Sequence, residues 1–258
     1  MQELTPHVDL AAFIARIAIA PERVLLLDYD GTLAPFHVRP ECAVPYPAAA
    51  AVLKEIMQAG TTRVVIVSGR PADEVPPLLA LTPRPEIWGS HGRERLLPDG
   101  RRSVEAPDAA ASRGLEAALS ALDGRLPDGA RLERKLASIA LHWRAVPPDA
   151  AKVLRAQASA CWETVAAQHA LELLPFDGGL ELRAPGCTKA HAVNAVLLET
   201  AQAGAVAYLG DDMTDEDAFH AVRPRGLGVL VRPQLRETAA DVWLRPPDEL
   251  VAFMRHWV

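Results

Sequence analysis

Apolar positions near the start of the chain gather into short unbroken runs, separated by segments of helical period. Residues 23–28, RVLLLD, and residues 63–69, RVVIVSG, are continuous apolar runs of strand length, and residues 86–92, EIWGSHG, read as a third strand. Between them, residues 46–60, YPAAAAVLKEIMQAG, read as a helix with Gly60 just past its end. Residues 70–81, RPADEVPPLLAL, read as a short helix with Pro71 at its start. The texture returns late in the chain. A helix over 187–204, a strand over AVAYLG (205–210), a helix over 215–223, a strand over GLGVLV (226–231) and a final helix over 246–258 are expected. Such β-α-β-α alternation predicts an α/β fold with a parallel sheet and helices on both faces.

The pattern changes between about residue 102 and residue 185. A helix over 112–122 is followed by two strand-like pieces in ARLERKLASIALHWR (130–144). A long helix over 147–170 then leads to a second hairpin in LELLPFDGGLELRAP (171–185), turning at Asp177-Gly178-Gly179. This α-β-β-α-β-β order reads as an α+β module inserted into the α/β domain, with VEAPDAAASRG (104–114) as the linker into it.

Composition narrows the function classes. A chain of 258 residues, half of them hydrophobic, can bury a core as one large domain or two small ones. A net charge of −6 gives no basic footprint for nucleic acid, so no nucleic-acid partner is expected. The three cysteines, Cys42, Cys161 and Cys187, are widely spaced and odd in number, which argues against a disulfide framework or a zinc site and fits a reducing cytoplasm. The first twenty residues lack a basic leader and no apolar run approaches membrane-spanning length, so no membrane association is expected. Among 27 basic residues only Lys54, Lys135, Lys152 and Lys189 are lysine. Lys54 and Lys152 lie in helical patterns and read as solvated. Lys135 and Lys189 stand out, because an ammonium is not interchangeable with a guanidinium.

In an open parallel sheet, ligands gather outside the carboxyl ends of the strands. Three of these ends carry unusual residues. The first has Asp28, Asp30 and Thr32; the second has Ser68, Gly69 and Arg70; the AVAYLG strand runs into DDMTDED, from Asp211 to Asp217. Each has a plainer explanation. DYDG suits a hairpin turn, although LAPF offers no partner strand. SGRP alone reads best as a helix start, and DDMTDED as an acidic first turn stabilised by the helix dipole. A calcium loop fits poorly, since the glycine and closing glutamate it needs are missing. Together, the acids of the first and last strand ends would converge on a hard cation such as magnesium, through Asp28, Asp211 and the Asp30 backbone carbonyl. Ser68 is placed to hold phosphate oxygens. Lys189, at a helix start where the dipole opposes a cation, calls for an anion beside it.

DYDGTL, SGR, the TKA containing Lys189 and GDDMTDEDAF, in this order, resemble the four motifs of the haloacid dehalogenase superfamily of phosphatases. The position of the insert resembles that superfamily's cap domains. GSHGRE, LERK with LHWR, and LELRAPG, together with the core motifs, look like the trehalose-6-phosphate phosphatase family, and the likeness runs from Val24 onward. Two departures are Ala190, where that family usually has glycine, and Trp143, where tyrosine is commoner. The resemblance implies a Rossmann-like core over 1–102 and 186–258 and an inserted α+β cap over 103–185. It implies Asp28 as the nucleophile forming an aspartyl-phosphate and Asp30 as the general acid and base. Ser68 and Lys189 would neutralise the transferring group. Mg2+ would sit on Asp28, the Asp30 carbonyl and Asp211, helped by Asp212 or Asp215. The implied substrate is trehalose 6-phosphate, with a functional link to a trehalose-6-phosphate synthase and a cytoplasmic location.

Substrate choice is expected from the insert. If LERKL and IALHWR are strands, Glu133 and Lys135 share a face, as do His142 and Arg144, while Glu181 and Arg183 share one on the second hairpin. Such a face suits sugar hydroxyls, although any one of these residues alone reads as a solvated strand position. His91 and Glu94 of GSHGRE either touch the sugar or order a loop. Rival readings are a phosphatase for sucrose 6-phosphate or a mannosylglycerate phosphate, a phosphohexomutase, and a catalytically silent sugar-phosphate sensor.

Overall fold

The computed structural model describes residues 1–6, 8–122, 124, 126–176 and 178–258. In chain order the larger unit begins with β1 (Gln2–Glu3), α1 (Leu10–Ile19), β2 (Arg23–Asp28), α2 (Pro47–Ala59), β3 (Thr62–Val67), α3 (Val75–Leu79), β4 (Glu86–Gly89), β5 (Glu94–Leu96) and β6 (Arg102–Val104). The smaller unit holds α4 (Ala109–Leu122), β7 (Arg131–Arg134), β8 (Ser138–His142), α5 (Pro148–His169), β9 (Glu172–Phe176) and β10 (Gly179–Arg183). The chain then completes the larger unit with α6 (Lys189–Glu199), β11 (Ala205–Gly210), α7 (Glu216–Val222), β12 (Leu227–Val231), β13 (Val242–Leu244) and α8 (Asp248–Met254). The two compact units are Met1–Val104 with Cys187–Val258, and Glu105–Gly186.

The larger unit is one sheet in the order β1-β13-β12-β11-β2-β3-β4-β5-β6. Its six central strands, β13 to β4, are parallel; β1, β5 and β6 are added at the edges by antiparallel pairing, each to its inner neighbour. The strands read as unbroken apolar runs because both faces are covered. Leu25, Leu27, Val64 and Ile66 pack with Phe13, Ile17, Val52, Phe253 and Trp257 on one side. Val24, Leu26, Val65 and Tyr208 pack with Val193, Val196 and Phe219 of α6 and α7 on the other. α2 ends as its sequence predicts, with Gly60 in the left-handed conformation and its N–H returned to the Ile56 carbonyl.

The smaller unit is a four-stranded antiparallel sheet in the order β7-β8-β10-β9. Ile139, Leu141, Leu180 and Leu182 pack beneath Leu115, Ala118, Leu154 and Trp162 of α4 and α5. The alternate residues form the other face. Register places Glu133 and Glu181 both opposite Ala140, and Gly179 opposite both His142 and Phe176.

Three expectations need adjustment. The stretch 104–114 is not a linker throughout, because α4 already starts at Ala109 and the Asp108 carboxylate caps it through the Ala111 N–H at 2.7 Å. β7 ends at Arg134, so Lys135 stands in the turn, its N–H bonded to the Ser138 carbonyl; Arg144 likewise lies beyond the end of β8. Asp177 of the expected second turn lies outside the described residues. Among the described residues, no helix is long and apolar enough to cross a membrane.

Candidate active site

The C-terminal ends of β2 and β11, neighbouring parallel strands, bring Asp28 and Asp211 together. After Asp28 the chain turns sharply, with the Leu33 and Ala34 N–H groups both donating to the Tyr29 carbonyl. Gly31 sits in this turn at φ +93°. A Cβ there would lie 2.1 Å from Asp211 Oδ2, so only glycine lets the two loops approach this closely. Thr32 is fully buried in the same turn.

Lys189 is the first residue of α6, with Thr188 capping the helix. Its buried ammonium donates to Asp28 Oδ1 at 2.6 Å and Asp215 Oδ1 at 2.7 Å. The dipole conflict read from the sequence is therefore offset by two carboxylates of the chain itself. Asp215 is saturated: Oδ1 also accepts from Tyr208 Oη at 2.5 Å, and Oδ2 accepts the backbone N–H groups of Asp211 and Asp212 at 3.0 and 2.9 Å. Asp215 thus shapes the acidic loop and anchors the lysine. Asp212 is half-buried, and its carboxylate caps the following turn through the Met213 N–H.

Charge within this cluster is unbalanced. Asp28, Asp211 and Asp215 are all buried and offer oxygens within 4.8 Å of one another. Burial pushes the Asp28 carboxyl up to about 7 despite the pull of Lys189, with Asp215 and Asp30 adding repulsion. Burial, followed by repulsion from Asp28 and Asp215, pushes Asp211 up to about 9. Asp28 Oδ2, Asp211 Oδ1 and Thr32 Oγ1 are buried without a hydrogen-bond partner among the described residues. Two orphaned carboxylate oxygens in an over-negative pocket fit a hard divalent cation. An orphaned hydroxyl beside them fits an anionic oxygen.

At the neighbouring end of β3, Ser68 is buried; its Oγ accepts the Arg70 N–H at 3.1 Å and its carbonyl accepts the His91 N–H. The Arg70 guanidinium grips both oxygens of Asp30, at 2.6 and 2.7 Å, which fixes the orientation of that carboxylate. The His91 ring lies against Gly69, where a Cβ would come within 2.7 Å of it. Glu94 accepts from Ser90 Oγ at 2.5 Å and from Arg102, so it orders the loop after β4.

Sequence reasoning missed Tyr208, Arg232, Arg236 and Glu216. Arg236 donates to the Asp212 carbonyl at 2.8 Å and pairs with Glu216, and Arg232 donates to the Asp211 carbonyl at 3.1 Å. These arginines follow β12, another parallel strand, and their place beyond a strand's C-terminal end was the available signal.

In the smaller unit, Glu133, His142 and Glu181 lie on the sheet face away from its helices, while Lys135 and Arg144 lie just past the ends of β7 and β8. His142 Nε2 and Glu133 Oε2 are 2.8 Å apart, and that bond, with Lys135 nearby, holds the Glu133 carboxyl down to about 2. Glu181 accepts from Ser138 Oγ at 2.7 Å and from Lys135 Nζ at 3.4 Å. The Arg144 side chain crosses Gly178.

Comparison with known proteins gives this geometry a family. Residues 26–242 match the family model described as trehalose-phosphatase. The chain is 33% identical over 248 residues to the trehalose-phosphate phosphatase of Mycobacterium marinum, an alignment covering 90% of this chain and 60% of that protein. It therefore spans about three-fifths of the length of such relatives. Among solved structures, the C-terminal domain of Candida albicans trehalose-6-phosphate phosphatase matches with a TM-score of 0.81 at 20% identity, covering 100% of this chain and 99% of that one. The C-terminal domain of a Candida albicans trehalose synthase regulatory protein matches with a TM-score of 0.72 at 14% identity, covering 95% and 97%. At these identities the structural likeness shows a shared fold alone.

Proposed function

The chain belongs to the trehalose-phosphatase family, and from that premise we propose that it is a Mg2+-dependent phosphatase releasing phosphate from trehalose 6-phosphate through an aspartyl-phosphate. The observation that carries this reading is the family match over 26–242 combined with Asp28, Asp30, Lys189 and Asp211 gathered at adjoining strand ends. The intact set also speaks against a silent sugar-phosphate sensor, a distinction that fold likeness alone does not make.

In the proposed reaction an Asp28 oxygen attacks phosphorus, and the bond from phosphorus to the sugar oxygen breaks. The Asp30 carboxyl gives its proton to the departing sugar oxygen, and trehalose leaves. Asp30, now ionised, takes a proton from water as that water attacks the phosphoryl group on Asp28. The bond to Asp28 breaks, releasing inorganic phosphate and restoring both acids. Arg70 keeps Asp30 oriented through both steps. Lys189 fixes Asp28 and opposes the charge that builds on the transferring group, and Thr32 and Ser68 offer hydroxyls to its oxygens. Asp28 and Asp211, with the Asp30 backbone carbonyl, would hold Mg2+, which when bound neutralises phosphoryl charge. Glu133, His142 and Glu181 of the sheet face, with Lys135 and Arg144 beside it, would read the sugar hydroxyls.

Phosphate release from trehalose 6-phosphate, sucrose 6-phosphate, a mannosylglycerate phosphate and glucose 6-phosphate, each with Mg2+ and with EDTA, tests the proposal. The expected result is turnover of trehalose 6-phosphate well above the others, abolished by EDTA and restored by Mg2+. Preference for another sugar phosphate would replace the substrate, and no release from any would favour the sensor.

A further inference from the structure

Beside its charged residues, the polar face of the smaller unit carries apolar Ala140, Leu174 and Phe176. Phe176 ends β9, and register places it, Gly179 of β10 and His142 of β8 in a single row. Their side-chain positions share the face that turns away from α4 and α5, whereas Leu141 and Leu180 of the neighbouring row pack beneath those helices. Phe176 is thus held apart from the apolar core of its own unit.

Its ring is also held in a specific place. A Cβ on Gly179 would lie 1.8 Å from the Phe176 ring Cζ and 2.2 Å from Cε2, so the ring lies across the glycine and nothing larger fits beneath it. Beyond the glycine the ring meets His142 edge-on, with centroids 5.2 Å apart and planes at 64°. His142 is in turn fixed by Glu133 at 2.8 Å. The result is a small flat apolar surface bordered by an imidazole and a carboxylate, both half-buried.

That combination matches the two-sided chemistry of a pyranose, which presents C–H groups on a ring face and hydroxyls around its rim. We propose that Phe176, laid across Gly179 beside the His142–Glu133 pair, is the stacking platform for a sugar ring of the substrate. This rests on the sugar-phosphate reading above and adds to it a specificity-determining residue that makes no hydrogen bond. Gly179 serves the platform indirectly, by leaving room for the ring.

The experiment compares kcat/KM on trehalose 6-phosphate with that on acetyl phosphate, which has no sugar ring. Phe176→Leu is expected to lower the ratio of the two about ten-fold, mainly by raising KM for the sugar substrate, the scale of a lost aromatic contact. Phe176→Tyr, which keeps the ring, is expected to hold the ratio within about three-fold of wild type on the same scale. Gly179→Ala displaces the ring and is expected to follow Phe176→Leu; it carries the test if the leucine variant fails to fold. A ratio unchanged in Phe176→Leu and Gly179→Ala, or a loss as large in Phe176→Tyr as in Phe176→Leu, overturns the platform while leaving the functional reading standing. Wild-type protein that hydrolyses acetyl phosphate but no sugar phosphate overturns the functional reading and the platform with it.

Discussion

Replacing Asp215 by asparagine keeps its shape and should still unsettle the protein more than any other neutralisation in the acidic loop. Its two oxygens accept four hydrogen bonds: from Lys189 and Tyr208 on one side and from the Asp211 and Asp212 amides on the other. An asparagine offers one acceptor oxygen and one donor nitrogen, so in one orientation both backbone amides face another donor, and in the other the Lys189 ammonium does while the Tyr208 hydroxyl can turn to accept. If the backbone amides lose their acceptor, two buried N–H groups go unsatisfied at about 1–3 kcal/mol each. If the lysine loses it, a buried ammonium loses one of two carboxylates, a loss on the order of 3–5 kcal/mol for a broken buried pair. Removing one negative charge also relieves Asp28 and Asp211, both of which Asp215 repels. The net expectation is a destabilisation of about 2–4 kcal/mol, or a fall in Tm of about 4–16 °C for a chain of this size. Asp212→Asn is the control, because Asp212 only caps a turn and asparagine caps as well as aspartate, so its Tm should move by no more than about 2 °C. Thermal unfolding of both variants without metal checks this. Equal, small shifts in the two would refute the assignment of Asp215 as the buried anchor.

Other outcomes follow from the same geometry. With Asp28 pushed up to about 7 and Asp211 to about 9, the folded metal-free protein binds more protons than the unfolded chain above about pH 4, so its stability should fall as pH rises through those values. Mg2+ must displace the same protons, so Mg2+ affinity, read by thermal shift, should rise between about pH 6 and about pH 9; an affinity independent of pH would contradict the charge balance described here. Asp30→Asn should still form some aspartyl-phosphate while slowing its formation and its hydrolysis; rapid-quench kinetics would show an unslowed hydrolysis phase if Asp30 were not the base. Lys135→Ala should lose about ten- to a hundred-fold in kcat/KM on trehalose 6-phosphate and little on p-nitrophenyl phosphate. Parallel losses on the two substrates would assign Lys135 to folding, through Glu181, rather than to sugar recognition.

The parallel sheet was legible because β2, β3 and β11 are buried on both faces, which writes them as unbroken apolar runs. The strand ends were legible because Asp28, Ser68 and Asp211 break those runs with polar groups. Other features left weaker traces. β1, β5, β6 and β13 are two or three residues long, too short to show a period of two, and they become strands only by pairing at or next to the sheet edges. Pro107-Asp108 looked like part of a linker because a helix start and a turn use the same residues. Within DDMTDED, the acids at 211, 212 and 215 are chemically alike in sequence. Only the fold decides that 215 turns inward to accept four hydrogen bonds while 212 caps a turn. Tyr208 hides in an apolar run as a core aromatic, and its hydroxyl acquires a role only because Asp215 lies beneath it. Phe176 and Gly179 likewise looked like ordinary hairpin residues until register placed one across the other.

In the proposed reaction Asp28 carries the phosphoryl group during hydrolysis of trehalose 6-phosphate. That role is tested most directly by rapid acid quench of enzyme mixed with excess trehalose 6-phosphate and Mg2+, followed by peptide mass spectrometry. The expected result is phosphate covalently attached to Asp28 in wild type and absent in Asp28→Asn. Phosphate on another residue, or covalent phosphate persisting in Asp28→Asn, would contradict that role for Asp28.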